Sequence, residues 1–397
     1  MSRPGRIEVW KALAANPRIL KAGRRTLRFL FDYMGKFRIQ KVGRNLIIHS
    51  HLPPINSRAY RRFIDGHLLG AAQGPSHAQI GLTDACPQNC EYCYNRGRTG
   101  KPMSTETIMS VIRDLEGMGV FWLGLTGGEP LLNKDIVRIT AEASRNCAVK
   151  LFTTGCGLTP ELAAGLRDAG LFSVSISLDH RNPDEHDRGR GYPGAYREAI
   201  RAIETFKTAG GIQVGISAVL SKELVRRDEA GSFLDFLEGL GIHEAWLSEM
   251  KPSVHPFWNE SLLIGDEERR GLIRLQDERN ANGGMTVNYL GHFEAGEHFG
   301  CNAGSKMIYI DAFGEVSPCV FIPLTFGNVR KKDVGTIYRE MKSLFPPQDR
   351  CFMNVNQARV RKHYDGRLPI AAAGAMDCVR EAGFGPPPAF LRIRNED

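Results

Sequence analysis

Between residues 77 and 250 six short apolar segments recur, each followed after a turn by an amphipathic stretch. The apolar segments span 77–83, 120–126, 149–154, 171–179, 212–220 and 243–250. The amphipathic ones span 104–119, 133–145, 159–170, 194–210 and 229–241. A capping serine, Ser104, opens the first of these, while the third starts with Thr159-Pro160 and stops at Gly170, as helices do. Strands that are apolar on both faces belong in the interior of a parallel sheet. Strand–helix alternation then implies right-handed crossovers. Six such units suit an incomplete barrel or a doubly wound sheet, and periodicity does not choose between them.

The flanks differ from this middle. Residues 1–70 hold 15 Lys or Arg against 3 Asp or Glu, a net of +12, and the rest of the chain holds 37 against 41, a net of −4. The basic character is therefore local, and no nucleic-acid partner is expected. Leu20, Leu27, Leu30, Phe31 and Met34 fall on one helical stripe with Arg and Lys between them. That stripe can pack on the rest of the protein, or residues 10–45 can lie on an anionic membrane surface. We expect a basic, helical N-terminal extension over 1–76, a core over 77–250 and a smaller unit over 251–397. In the last, residues 266–282 and 334–345 read as helices, 306–321 as a hairpin, and the Pro/Gly-rich tail as irregular. No run of about 18 apolar residues and no secretory signal is found, so a cytoplasmic protein is expected, with room for peripheral contact at the inner membrane surface.

Nine cysteines in 397 residues are too dilute and too clustered for a disulfide scaffold. Cys86, Cys90 and Cys93 form C-x3-C-x2-C directly after the first apolar segment. Zinc would want a fourth Cys or His nearby, and none follows within about 50 residues. A four-iron cluster fits better, with three thiolates on three irons and the fourth iron open. The 11 histidines show no ligand pair with carboxylates.

This loop resembles that of the radical S-adenosylmethionine (SAM) enzymes, C-x3-C-x-aromatic-C, with Tyr92 in the aromatic position. The resemblance implies a partial (β/α)6 barrel of the TIM type, an α/β fold. It implies a [4Fe–4S] cluster whose open iron takes the amino and carboxylate groups of SAM. It further implies reductive cleavage of SAM to a 5′-deoxyadenosyl radical, which abstracts hydrogen from a substrate. Gly127, Gly128 and Glu129 in "TGGEP" match the motif that binds the SAM amino group. Ser177, Asp179 and Arg190 stand where relatives hold the ribose and carboxylate, a role that suits a bidentate guanidinium. Cys301, Gly314 and Cys319 resemble the first half of the SPASM/twitch signature, which implies an auxiliary [4Fe–4S] cluster. The full signature has more cysteines than follow here. Cys351 and Cys378 remain, so one auxiliary cluster is expected, on Cys301, Cys319 and Cys351 with Cys378 as a candidate fourth ligand. Cys156, after the third strand, is a candidate hydrogen donor to a substrate radical. The expected function is oxidative modification or coupling of a peptide or protein. Alternatives are a lipid, sugar or cofactor-precursor substrate, or a non-catalytic electron carrier. A flavodoxin or ferredoxin would supply electrons.

Overall fold

The computed structural model describes residues 16–254 and 260–396. All six expected strands form, as β3 (His77–Gly81), β4 (Trp122–Thr126), β5 (Ala148–Thr153), β6 (Ser173–Ser177), β7 (Gln213–Leu220) and β8 (Glu244–Glu249). They follow β1 (Gln40–Val42) and β2 (Asn45–Ile47) in the chain. Adjacent members of β3–β8 pair in parallel in sequence order. The five expected helices form as Thr105–Gly117, Ile136–Ala143, Pro160–Asp168, Ala195–Ala209 and Ala230–Gly239. Residues such as Ile80, Leu123, Leu125, Val149, Leu151, Val174 and Ile216 are fully buried against them. The intervening positions His77, Gln79, Trp122, Lys150, Ser175 and Trp246 are on the opposite face, since successive strand residues alternate.

The sheet does not stop at residue 250. β9 (Thr286–Tyr289) adds in parallel to β8, and β10 (Met307–Ile310) adds in parallel to β3. β11 (Val316–Ser317) turns back antiparallel on β10. Gly314 at φ 87° lies within the connection, so the expected hairpin forms with its glycine in left-handed backbone. The result is one nine-stranded open sheet, β11-β10-β3-β4-β5-β6-β7-β8-β9, in which the unit expected over 251–397 contributes both edges. The Pro/Gly-rich tail, residues 383–397, is also more regular than its composition suggests, with a helix at Ala389–Asn395.

The N-terminal segment closes the end of the barrel where the strands begin. β1 and β2 form a hairpin, and Gln40 Nε2 donates to His243 O (2.7 Å) and Thr286 Oγ1 (3.1 Å). Residues 49–51 then enter the barrel. The His51 ring stacks on Trp246 at 3.7 Å and on Trp122 at 5.1 Å. Ser50 N donates to Glu244 Oε1 (3.0 Å), and Trp122 Nε1 donates to Ser50 O (2.8 Å). Lys150 Nζ donates to Ser50 Oγ and lies 3.9 Å from Glu244 Oε2, with both ionic side chains out of solvent. Burial depresses the Lys150 ammonium to about 8, although Glu244 acts in the other direction.

The helix Arg24–Met34 buries Leu30, Tyr33 and Met34 and leaves Arg24, Arg25 and Arg28 exposed. Leu27, Leu30, Phe31 and Met34 of the expected stripe pack on the body of the protein, beside Phe299 and Phe390, whereas Leu20 lies in the separate turn Pro17–Lys21 and is exposed. Residues 10–15 of the expected membrane-facing stretch lie outside the described residues. Among the described residues, no helix is long and apolar enough to cross a membrane.

The Glu244 carboxylate is the hub of the plug, since Asn288 Nδ2 also donates to it at 2.7 Å. Glu244→Ala leaves the buried Lys150 without its counter-charge and is expected to cost about 3–5 kcal/mol in urea unfolding. Wild-type stability is expected to rise with pH from about 8 toward the ordinary lysine value, because folded Lys150 loses its proton there before the unfolded chain does.

Candidate active site

At the C-terminal ends of the strands the sequence folds two glycines and a carboxylate beneath the cysteine loop. Gly127 and Gly128 follow β4 and touch the backbone of residues 83–85. A Cβ on Gly128 would lie 2.3 Å from Ala85 O and 2.6 Å from Asp84 O. Gly127 has φ 127°, and a Cβ there would meet Thr83 O at 2.4 Å. The close approach is locked by Gly128 N donating to Thr83 O (2.6 Å) and Glu129 N donating to Ala85 O (2.7 Å). Asn95 Nδ2 also donates to Gly127 O, and Tyr309 Oη donates to Asn95 Oδ1 (2.7 Å).

Glu129 differs from expectation. Its carboxylate is fully buried and accepts from Thr153 Oγ1 (2.6 Å), Thr154 N (2.6 Å), Thr154 Oγ1 (2.6 Å) and Leu131 N (3.0 Å). Burial pushes this acid up, and those donors hold it down. The side chain therefore ties the β4 loop to the end of β5, while Gly127 and Gly128 face the cavity.

Ser177, Asp179 and Arg190 gather as expected, but the last two pair with each other. Arg190 NH2 donates to Asp179 Oδ1 at 2.8 Å, with both side chains nearly buried. Tyr92 Oη donates to Asp179 Oδ2, and the Arg190 guanidinium lies 5.6 Å from the Tyr92 ring centroid. Val219 N completes the carboxylate shell at 2.9 Å. Burial pulls the Asp179 acid up, but Arg190, His186 and the hydrogen bonds from Tyr92 and Val219 together outweigh it and the acid is lowered. Arg190 NH1 reaches Cys90 Sγ (4.0 Å), and Arg190 O accepts from Asn89 N (3.0 Å). Tyr92 is thus a clamp for the loop. Arg190 lines the cavity, and its Nε has no partner among the described residues.

These groups border a chamber of about 520 Å³ that continues to a second set of thiols. Cys86, Cys90 and Cys93 line one end, and Cys301, Cys319 and Cys351 line another. Cys301 N donates to Gln348 O (2.7 Å), which brings the chain near Cys351 alongside Cys301. Burial raises the Cys86 thiol to about 12, helped by Glu129, Cys90 and Cys93. Burial likewise raises Cys319 to about 12, with Cys351 adding to it. Each set is thus a group of thiols close enough to repel one another as thiolates, which bound cationic iron would offset. Among the described residues, no three His, Cys, Asp or Glu side chains are placed to hold a single metal ion. Thiols spread around a cavity suit the separated corners of an iron–sulfur cluster.

Cys378 is fully buried in the helix Ala372–Glu381 and does not line the chamber. Its electrostatic neighbours are Glu381 and Arg359, so the structure does not bring it to the other three thiols. Cys156 does not line the chamber either. It stands near Glu198 on the outer helix, because the chain turns outward after Thr154. The geometry therefore gives no support to a hydrogen-donor role.

The sequence reading missed Lys251 and its partners. Lys251 follows β8, is almost fully buried, and donates to Glu294 Oε2 (3.0 Å) and Glu249 Oε1 (3.5 Å). Burial pushes its ammonium down, but Cys351, Glu249 and Glu294 more than offset that. Arg269 NH2 also donates to Glu249 (2.8 Å). The available signal was Glu249-x-Lys251, two charges at the C-terminal end of β8.

A family model described as the radical SAM superfamily matches residues 80–229. Those residues carry a radical SAM domain. A second model, for the SPASM iron–sulfur cluster-binding domain, matches residues 301–351 and so begins and ends on two of the chamber thiols. An AdoMet-dependent heme synthase of Methanosarcina barkeri is 25% identical, over 65% of this chain and 80% of its own length. The mycofactocin maturase MftC of Mycolicibacterium smegmatis is 28% identical, over 60% of this chain and 63% of its own, less than two thirds of that relative. A PqqA peptide cyclase of Methylocella silvestris is 26% identical, over 65% and 72%. Among solved structures, Streptococcus suis SuiB bound to S-adenosylmethionine superposes with a TM-score of 0.57 at 17% identity, covering 75% of this chain and 77% of that one. This likeness, with the open parallel sheet, shows the partial-barrel fold. The family's cofactors are SAM, a [4Fe–4S] cluster and an SPASM-type cluster, and both thiol sets fit them.

Gly128→Ala is expected to displace residues 84–85 and with them the first cysteine loop, while leaving the second thiol set in place. Anaerobic reconstitution should then retain about half the wild-type iron. Full iron content in this variant would show that the glycine contact does not position the loop.

Proposed function

We propose that this protein is a radical SAM enzyme that oxidatively modifies or couples a peptide or protein substrate held in the chamber. When bound, the first cluster supplies one electron to SAM, whose cleavage gives the 5′-deoxyadenosyl radical that takes a hydrogen atom from a substrate C–H bond. The observation that carries the reading is that two three-thiol sets border one chamber lined by the Gly127–Gly128 backbone, Ser177 and Arg190.

Each residue has a task in this reading. Cys86, Cys90 and Cys93 would hold the SAM-binding cluster. The Asp179–Arg190–Tyr92 network fixes the loop, and the Arg190 Nε left over is a donor for the SAM carboxylate. Gly127 and Gly128 allow close backbone approach to the SAM amino group. Cys301, Cys319 and Cys351 would hold the auxiliary cluster, with its fourth position left to Glu294 or to substrate. The Lys251 ammonium stabilises negative charge beside these thiols. Glu294 Oε2, which already accepts from Lys251, can take the proton lost from the substrate radical, whose remaining electron would pass to the auxiliary cluster when that is bound. A flavodoxin or ferredoxin would deliver the electrons.

The peptide reading draws support from relatives whose names are those of a mycofactocin maturase and a peptide cyclase. A small-molecule substrate is a second reading, favoured by the heme synthase among the same relatives. Any peripheral docking on an anionic membrane would use the exposed Lys21, Arg24, Arg25 and Arg28 beside Leu20, which is 64% exposed.

Anaerobically reconstituted protein given SAM and dithionite is expected to form 5′-deoxyadenosine. Cys90→Ala should abolish this, whereas Cys319→Ala should lower the iron content and leave uncoupled SAM cleavage measurable. If the first cluster is intact and no 5′-deoxyadenosine forms, the protein is an electron carrier instead.

A further inference from the structure

The chamber has an arm that the radical chemistry does not use. Residues 290–306 link β9 to β10 across the open side of the barrel, and the helices Arg24–Met34 and Ala389–Asn395 pack over them. The arm between these pieces is walled by Leu30, Phe63, Leu68, Phe299 and Phe390. Two cations border it, Lys306 just before β10 and Arg394 in the last helix.

Those cations are crowded. Burial depresses the Lys306 ammonium to about 8, and the charges of Arg394 and Lys342 add to the effect. Among the described residues, none of the three forms an ion pair with a carboxylate. Lys342 Nζ instead donates to Gln73 O (3.5 Å) and lies over the Tyr338 ring. Like charges drawn together beside an apolar wall, with no acid to offset them, are the complement of an anionic group on an apolar ligand.

A second observation is independent of charge. Six residues that line the chamber carry a buried polar atom with no hydrogen-bond partner among the described residues, and three of these atoms are Tyr60 Oη, His49 Nε2 and His67 Nδ1. His67 Nε2 faces Gly119 O at 2.9 Å, so it carries the proton and Nδ1 is left as an acceptor. His49 Nδ1 accepts from His51 N (3.3 Å), which leaves Nε2 as a donor. A buried polar atom left unpaired loses its hydration with nothing to replace it. A hydrocarbon chain would leave all three unpaired. An amide group offers both the N–H and the C=O that they lack.

We propose that this arm binds the C-terminal end of the substrate peptide, with its α-carboxylate on Lys306 and Arg394 and its last apolar side chains against Phe63, Leu68 and Phe390. The inference rests on the peptide reading above and names which end of the peptide is recognised. The hydrogen to be abstracted would then lie a few residues inward, toward Cys90 and Arg190.

The test uses the anaerobically reconstituted full chain and two libraries of N-acetylated pentapeptides, one with free C-terminal carboxylates and one amidated. Binders are expected only from the free-acid library, with apolar residues at the last positions. Amidating the best binder should weaken it at least tenfold. Lys306→Met and Arg394→Met should each weaken it comparably, while Lys306→Arg retains most of the affinity, all with thermal midpoints near wild type. Equal enrichment from both libraries would overturn the proposal. So would enrichment that follows an internal Asp or Glu regardless of amidation. Tight binding of dodecanoate with no peptide enriched would also overturn it, in favour of a lipid anion. Formation of 5′-deoxyadenosine in the same preparations, measured without peptide, separates failure of this assignment from failure of the radical chemistry.

Discussion

The buried ion pair between Arg190 and Asp179 is the contact on which the site depends. A loop of three thiols around a cavity has no core of its own, and its geometry must be imposed from outside. Asp179 accepts from Arg190, Tyr92 and the backbone of Val219, and so joins the cysteine loop, the helix Pro183–Arg190 and the end of β7 at one carboxylate. A second buried pair acts from the other side. Arg98 NH1 donates to Asp311 Oδ2 at 2.9 Å, with both side chains out of solvent, which fastens the end of the loop to β10. Charged pairs of this kind are weak stabilisers, because desolvation offsets most of their attraction, yet breaking one side is costly. Their effect here is positional, since they hold Cys86, Cys90 and Cys93 against the Gly127–Gly128 backbone.

An open sheet creates the second constraint. A partial barrel leaves one end and one side unfilled, and this chain fills both with segments outside the six core units. His51 stacked between Trp122 and Trp246 closes the end, and the linker from β9 to β10 with the two terminal helices closes the side. The resulting chamber brings both thiol sets to one cavity. Lys251, at the end of β8, lies between Glu249 on the barrel and Glu294 beside the auxiliary thiols.

The core was legible in the sequence because it is local. Each of the six strands carries its own apolar run, and each crossover helix its own period and cap, so boundaries agree to within a few residues. The two thiol sets were legible for the same reason, as fixed spacings within short stretches. What stayed hidden depends on contacts far apart in the chain. β9 and β10 are short and take their places only through pairing with β8 and β3. The hairpin at 40–47 is held by Gln40 reaching His243 and Thr286, which no local pattern announces. Glu129 was placed on the SAM amino group by motif, whereas the neighbouring Thr153 and Thr154 engage its carboxylate. Cys156 and Cys378 looked like site residues by type and position, but side-chain direction put them elsewhere.

The central claim is that three thiols hold a cluster whose fourth iron position is filled by SAM. Electron–nuclear double resonance on the reduced protein with SAM labelled by ¹⁵N at its amino group tests it most directly. The account predicts a hyperfine coupling between that nitrogen and the first cluster, lost in Cys90→Ala and kept in Cys319→Ala. A reduced first cluster that shows no coupling to labelled SAM at saturating concentration would contradict it.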